Sequence, residues 1–535
     1  MGIPSYFKYV VQKHRNILKK YKDAKNKEAL LAIDNFYMDC NSVIYDCVRQ
    51  LPKNCKNIEA RLIKETCIKI EEYINMINPK LRVFVAFDGV APVAKLEQQR
   101  NRRFKTQFEK QVLSELGIER EDIGWSTASI TPGTDFMEKL AKGTKKYFSN
   151  KKFSKLEIIV SASDEAGEGE HKLYKYIRDN SHHKTESTAI YGLDADLIML
   201  TLNHLRYADK LYLFRETPQF IRSFDESLDP NETYVMDMPL MAECLTDELN
   251  DGNDIKNESQ KQRMFDYIFI CFLLGNDFMP HFPALNIRTE GIDRIMSAYK
   301  QTLADSGNLT TRDKIVWKNV RTFIRILAKN EHDYIEREHG IREKQARNIH
   351  YRSRDNNISK EEQSFTNIPM LDRSKEEYIN PYEPGWQARY YKVLFDGEMC
   401  EEHKKKLCLN YLEGLEWTFK YYTSGCADWN WHYQYEYPPL LEDLIKYVPY
   451  FDVCLIETNE SLPLPPLVQL SYVLPPSMAE LLPKTVQRNL KKDYPEWFGE
   501  EYSFEWSYCK YFWECHAKLP KIDIPQLKNV VCGAV

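Results

Sequence analysis

The chain has 535 residues, 43% of them apolar and 29% charged, with a formal net charge of -5. It is long enough to bury one large core or two to three ordinary ones, and no apolar run reaches the length needed to span a bilayer. The acidic balance excludes bulk electrostatic attraction to nucleic acid, though not a local basic patch. The 13 cysteines stand singly with no C-x-x-C pair. Met1-Gly2-Ile3-Pro4-Ser5-Tyr6 lacks the features of a secretory signal, and Tyr6 stands where myristoylation needs Ser or Thr. Reduced thiols in a cytoplasmic or nuclear protein are expected.

From Met1 to about Asn330, buried-strand patterns alternate with amphipathic-helix patterns. Strands are predicted over 30–38, ending at Asp39; 82–87, ending at Asp88; 156–163; 188–193; and 210–215. Helices are predicted over 59–76, 93–115, 134–148 and 169–179. This alternation indicates a mostly parallel α/β sheet flanked by helices. A largely apolar helix over 265–274 then runs into Gly275-Asn276-Asp277-Phe278. Residues from about 340 to 380 are polar, mixed in charge and without apolar periodicity, and read as an exposed linker. Beyond it come helices over 386–395 and 401–422, an aromatic-dense loop over 425–439, and proline-rich turns with short helices over 462–535.

In such sheets ligands gather beyond the carboxyl ends of the strands. Asp39, Asp88, Asp194 and Asp196 all fall there. Glu168 and Glu170, in Gly167-Glu168-Gly169-Glu170-His171-Lys172, open the helix after the third strand, and Asp277 ends the apolar helix. Singly each has an ordinary explanation: Asp196 as a helix N-cap, Asp277 as turn chemistry. Together they form one pocket of seven carboxylates, in which each close pair at about 4 Å costs on the order of 4 kcal/mol at an effective dielectric of about 20. Multivalent cations resolve that repulsion. Oxygen donors without cysteine favour Mg²⁺ or Mn²⁺ over Zn²⁺. Two such ions suit phosphodiester hydrolysis, one activating water and the other stabilising the leaving oxygen. His171 reads as a structural hydrogen-bonding residue.

Directly after Asp88, Pro92 marks a helix start. Lys95, Gln99, Arg102 and Arg103 then recur at i, i+4, i+7 and i+8 on one face. A solvated basic surface is the ordinary reading. Planar Arg forks beside a metal site also suit phosphate recognition, and a terminal-phosphate pocket there would make an enzyme act from a chain end. In the aromatic loop, Trp429 or Trp431 is a candidate for stacking on the terminal base, worth about 1–3 kcal/mol.

These motifs, in this order, resemble the XRN family of 5′→3′ exoribonucleases. The resemblance rests on Met1-Gly2-Ile3-Pro4, Met38-Asp39-Cys40-Asn41-Ser42, Asp88-Gly89-Val90-Ala91-Pro92, and Gln98-Gln99-Arg100 followed by Arg102-Arg103-Phe104. It continues through Ile130 to Phe136, Gly167 to Lys172, Tyr191 to Leu200, Gly275 to Phe278, and Tyr411 to Trp431. It implies a PIN-like, FLAP-nuclease-related core over 1–335, a linker over 336–380, and a C-terminal segment over 381–535 that completes the pocket. Divalent metals would be held by the seven acids, and Lys95, Gln99, Arg102 and Arg103 would read a 5′-monophosphate. Processive degradation of single-stranded RNA by a monomer, with release of nucleoside monophosphates, would follow, and Pro92 would lie near the point of duplex unwinding. Tyr45 stands where family members carry His, which keeps a stacking face but loses a ring that titrates near neutral pH. Val93 and Ala166 replace a usual Arg and Pro. Larger members continue into additional domains, so a minimal catalytic core is expected.

Three other readings compete. A structure-specific DNA 5′ nuclease would add a helical DNA-binding motif, which is not recognisable here. A catalytically inactive RNA-binding or scaffold protein would be favoured by loss of an acid, yet all seven are present. An aspartyl-phosphate phosphatase shares the D-x-D of Asp194-Ala195-Asp196, but Leu197-Ile198 fits that class poorly.

Overall fold

The computed structural model describes residues 6–21, 32–52, 55–118, 124–192, 196–215, 228–229, 231–250, 258–352, 359–498 and 502–534. A seven-stranded sheet lies at the centre. Its strands are β1 (Leu18–Lys20), β2 (Asn35–Asp39), β3 (Arg82–Ala86), β4 (Glu157–Ser161), β5 (Ser187–Tyr191), β6 (Lys210–Arg215) and β7 (Tyr234–Asp237). They lie side by side in the order β1-β7-β6-β5-β2-β3-β4. Neighbours from β6 to β4 pair in parallel, and β7 pairs antiparallel with β6 and β1.

All five residues of β2 and of β5 are buried, as expected for strands with helices on both faces. Alternation divides their side chains between two cores. Phe36, Met38, Val83, Val85 and Tyr191 pack against helices Asn41–Gln50, Ile58–Ile77 and Asp135–Phe148. Tyr37, Phe84 and Ile190 face a larger core that continues into the C-terminal half, through Tyr411 and Trp417 of helix Glu401–Thr423.

Helices Val93–Glu115 and Gly169–Asp179 have the bounds that the pattern predicts. The strand predicted over 30–38 is β2, which begins later than expected, at Asn35. The apolar helix is longer at its start, running Glu258–Cys271 before a short 3₁₀ turn, Phe272–Leu274.

The predicted exposed linker is corrected. Much of that stretch is helical, in Glu331–Arg352, Lys360–Thr366, Ile368–Leu371 and Ser374–Ile379. Three of its charges are paired with one another in a buried group. Arg342 donates two hydrogen bonds to Glu376 at 2.8 and 2.6 Å, Arg373 donates a third at 2.8 Å, and all three side chains are buried. Tyr508 N–H also donates to Glu376, and Arg342 to Cys509 O, so this stretch is tied to the C-terminal region. Mixed charge in sequence conceals a buried network when the opposite charges meet in space.

Helix Pro466–Val473 packs on the start of helix Val93–Glu115, with Val468 and Tyr472 in one apolar cluster with Val90, Val93 and Leu96. Gln469 accepts from Ala91 N–H at 3.0 Å. The C-terminal segment is therefore seated on the loop that leaves Asp88. Among the described residues, no helix is long and apolar enough to cross a membrane.

Candidate active site

The chain passes from β2 outward through β3 to β4, then returns to the other side of β2 with β5 and β6. The reversal puts a crevice between the carboxyl ends of β2 and β5, where such sheets bind ligands. Asp39 is the last residue of β2, Asp88 lies two residues past β3, and Asp196 opens the helix Asp196–His204 that follows β5. Asp194 lies outside the described residues. Helix Gly169–Asp179 points its N-terminus at this crevice, with Glu168 as N-cap and Glu170 in its first turn.

Its approach is very close. Gly169 N–H donates to Asp88 Oδ1 at 2.7 Å, and a Cβ at Gly169 would lie 2.5 Å from Asp39 Oδ1. Any side chain there would collide with the acids, which explains a glycine between two glutamates. Asp39, Asp88 and Glu170 offer oxygens within 4.8 Å of one another, and Glu168, Glu170 and His171 form a second such group. Burial, then Glu168, pushes the Asp88 and Glu170 carboxyls above their ordinary range. Repulsion among buried carboxylates is what a divalent cation relieves, and this oxygen-dominated donor set fits a hard ion. The buried acidic cluster can hold a metal.

Lys95 enters the cluster from the first turn of helix Val93–Glu115. Its ammonium lies 2.6 Å from Glu168 Oε2 and 2.7 Å from Asp277 Oδ2. Burial opposes its charge, but Asp277, Glu168, Glu170 and Asp196 outweigh burial and hold its pKa well above the usual lysine value. Asp277, although buried, is held well below the ordinary carboxylate range, with Lys95 the leading cause.

The four residues predicted to share one basic face separate in space. Lys95 belongs to the acid cluster. Arg103 is turned to Thr131, whose hydroxyl accepts from its Nη2, while its Nη1 is buried without a hydrogen-bond partner among the described residues. Burial lowers the Arg103 pKa to about 10. Gln99, one turn earlier, carries a buried amide oxygen that likewise lacks a partner among them. Arg102 is exposed and lines a cavity of about 630 Å³ that Asp277 and Lys105 also line.

Residues 1–217 match the family description "XRN 5'-3' exonuclease N-terminus", and residues 259–381 and 370–532 match "Xrn1 helical domain". The chain belongs to the XRN family. The 5'-3' exoribonuclease 2 of Gallus gallus is 28% identical over 99% of this chain and 69% of its own length. The 5'-3' exoribonuclease 2 homolog of Caenorhabditis elegans is 25% identical over 98% of this chain and 70% of its own. The 5'-3' exoribonuclease 1 of Saccharomyces cerevisiae is 27% identical over 90% and 40%. The PIN-like α/β core that the motifs imply is the sheet described above.

The aromatic candidates of this XRN chain differ in setting. Tyr45 lies on helix Asn41–Gln50 directly after Asp39 and is half-buried, near enough to Arg103 to act on its charge. Pro92 is buried as the N-cap of the basic helix, and the next N–H, of Val93, donates to Trp429 O at 2.9 Å. Trp429 is partly exposed beside that helix end. Trp431 is buried and stacked on Trp417 at 5.2 Å.

Three supporting residues were not singled out from sequence. Asn41 makes a reciprocal pair with Asp88, its amide donating to Oδ2 and its carbonyl accepting from the Asp88 N–H at 3.1 Å. The spacing from Asp39 was an available signal. Lys172 donates to Phe87 O and Ala162 O, both at 2.8 Å, tying together the chain just beyond β3 and β4. Burial brings its pKa down to about 8. Tyr421, from helix Glu401–Thr423, donates to Glu168 Oε1 at 2.8 Å, and nothing in the local sequence marks it.

Proposed function

We propose that this XRN protein is a 5′→3′ exoribonuclease that hydrolyses single-stranded RNA from a 5′-monophosphate end and releases nucleoside monophosphates. The observation that carries the reading is the convergence of Asp39, Asp88, Glu168, Glu170, Asp196 and Asp277 at the crevice between β2 and β5, with the buried Arg103 Nη1, which lacks a partner among the described residues, about two turns along the helix that brings Lys95 into the cluster. The names of the relatives agree with it.

Asp39, Asp88 and Glu170 would hold one Mg²⁺ or Mn²⁺, and the remaining acids, Asp194 included, a second. Bound there, such ions polarise a phosphodiester and lower the pKa of water. The chain's own residues do the rest. Asn41 and Lys172 hold Asp88 and the strand ends in place, so the acids are already arranged when substrate arrives. Arg103 supplies its free N–H to the terminal phosphate, with Gln99 beside it and Arg102 at the edge. Lys95 neutralises part of the acid charge next to the scissile group. Tyr45 and Trp429 are the accessible rings for stacking the first bases, since Trp431 is committed to the core. A terminal phosphate held at a set distance from the acids makes cleavage proceed from the end.

The test uses 3′-labelled single-stranded RNA carrying a 5′-monophosphate, 5′-triphosphate or 5′-hydroxyl, with matched DNA, in the presence of Mg²⁺ or Mn²⁺. Rapid loss of the 5′-monophosphate RNA alone is expected, abolished by Asp88→Asn or Asp196→Asn while RNA binding persists. No cleavage of any end with either metal would overturn the reading in favour of an inactive RNA-binding protein.

A further inference from the structure

The hydrogen bond from Tyr421 to Glu168 crosses from the C-terminal half into the acid cluster, and both residues are buried at 2% and 3% exposure. The second oxygen of Glu168 is taken by Lys95. The Tyr421 ring is tightly confined. It stacks with His171 at 3.8 Å and 30°, and with Trp417 at 4.8 Å and 22°, while Phe278 meets it edge-on at 5.4 Å. Trp417 stacks in turn on Trp431, and its indole N–H donates to Asp428 O at 2.8 Å. His171, Tyr421, Trp417 and Trp431 thus form a column of rings from the helix that bears Glu170 to the aromatic loop. A phenol held this way points its hydroxyl in one direction only.

We propose that Tyr421 is a positioning residue, whose hydroxyl fixes the Glu168 carboxylate in the orientation that meets a divalent cation. The proposal rests on the metal reading given above. Tyr421 holds Oε1, so Oε2 stays at a set angle for a cation that shares or displaces the Lys95 contact, whereas a Glu168 held by the flexible Lys95 alone must lose more rotamer freedom when the ion binds. Removing the hydroxyl therefore acts on cation affinity rather than on the fold, because the ring and its stacking partners remain.

The test is Mn²⁺ binding to the full chain by titration calorimetry, without RNA, comparing the parent with Tyr421→Phe and Tyr174→Phe. Tyr174 lies on the same helix as Glu170, and its buried hydroxyl bonds Thr201 and Leu197 O rather than a carboxylate, so it controls for loss of a buried hydroxyl near the cluster. Tyr421→Phe should bind Mn²⁺ roughly ten- to a hundredfold more weakly, with Tyr174→Phe close to the parent. Parent-like Mn²⁺ affinity in Tyr421→Phe, or equal weakening in Tyr174→Phe, would overturn the assignment and leave the metal site standing. A parent that binds no Mn²⁺ would overturn both.

Discussion

Replacing Lys95 by Met keeps much of the side-chain length and removes the only change that matters, the charge. In the folded chain that ammonium lies within 2.7 Å of two carboxylates whose side chains are each 4% exposed. At an effective dielectric of about 20, each such contact is worth on the order of 4 kcal/mol gross. Burying the ammonium offsets several kcal/mol of this, and breaking a buried pair typically costs about 3–5 kcal/mol net. Urea unfolding in EDTA near neutral pH should therefore show Lys95→Met less stable by about that amount. The pH dependence should also change. In the parent, Asp277 titrates below its unfolded value, so its contribution is present above the ordinary carboxylate range and lost as pH falls. In the variant Asp277 loses its leading lowering contact, so its opposing contribution shrinks, and the rise in stability that Asp88 and Glu170 give as pH falls from neutral should become steeper. Mn²⁺ should restore more stability to the variant than it adds to the parent, because Glu168 and Asp277 no longer share a cation. A variant with the parent's urea midpoint in EDTA would refute the reasoning.

Arg103→Ala should reduce the preference for 5′-monophosphate over 5′-hydroxyl RNA by roughly ten- to a hundredfold, about 1.5–3 kcal/mol for a hydrogen bond to a charged group; competition kinetics with the two ends measures it. Arg102→Ala should do less, because that side chain is exposed. His183 is fully buried, with Nδ1 2.8 Å from Asn180 O and Nε2 2.7 Å from the Tyr37 hydroxyl. Burial pushes its pKa down to about 4. Its contribution is complete above the unfolded value of about 6.5 and declines below it, by about 2 kcal/mol at about pH 5. Thermal melts of His183→Gln should accordingly show a shallower acid loss than the parent, and equal slopes would count against it. Gly414→Ala places a Cβ 2.2 Å from Met279 Sδ and 2.9 Å from Trp431 Cη2. Overpacking of about 1–3 kcal/mol should exceed the roughly 1 kcal/mol gain in helix propensity, so the melting temperature should fall.

The helix over Val93–Glu115 and the strands that end at or near Asp39 and Asp88 were legible because periodicity and element ends are local properties. The acids were legible for a related reason: parallel strands deliver their C-terminal residues to one edge wherever the sheet order reverses. Lys95 shows the limit of that reasoning. A helical wheel sets it on one face with Gln99 and Arg103, yet it gives direction and not depth, and about two turns separate Lys95 in the acid cluster from Arg103 on the Thr131 side. Arg342, Arg373 and Glu376 looked like a solvated stretch because the Arg342–Glu376 pairing that buries the local Arg373–Glu376 pair is across helices.

Composition, periodicity and spacing alone thus determined the alternating sheet, the carboxylates at its edge and the basic helix that starts beside them. Only the tertiary structure decided that Lys95 joins the acids, that Arg103 keeps a buried unused donor among the described residues, that Trp431 is core while Trp429 is partly exposed, and that Tyr421 reaches Glu168 from 253 residues away. The division follows from range. Side-chain periodicity is set within a few residues by the backbone, whereas hydrogen bonds and charge pairs depend on separations of a few ångströms that exist only once distant segments have packed together.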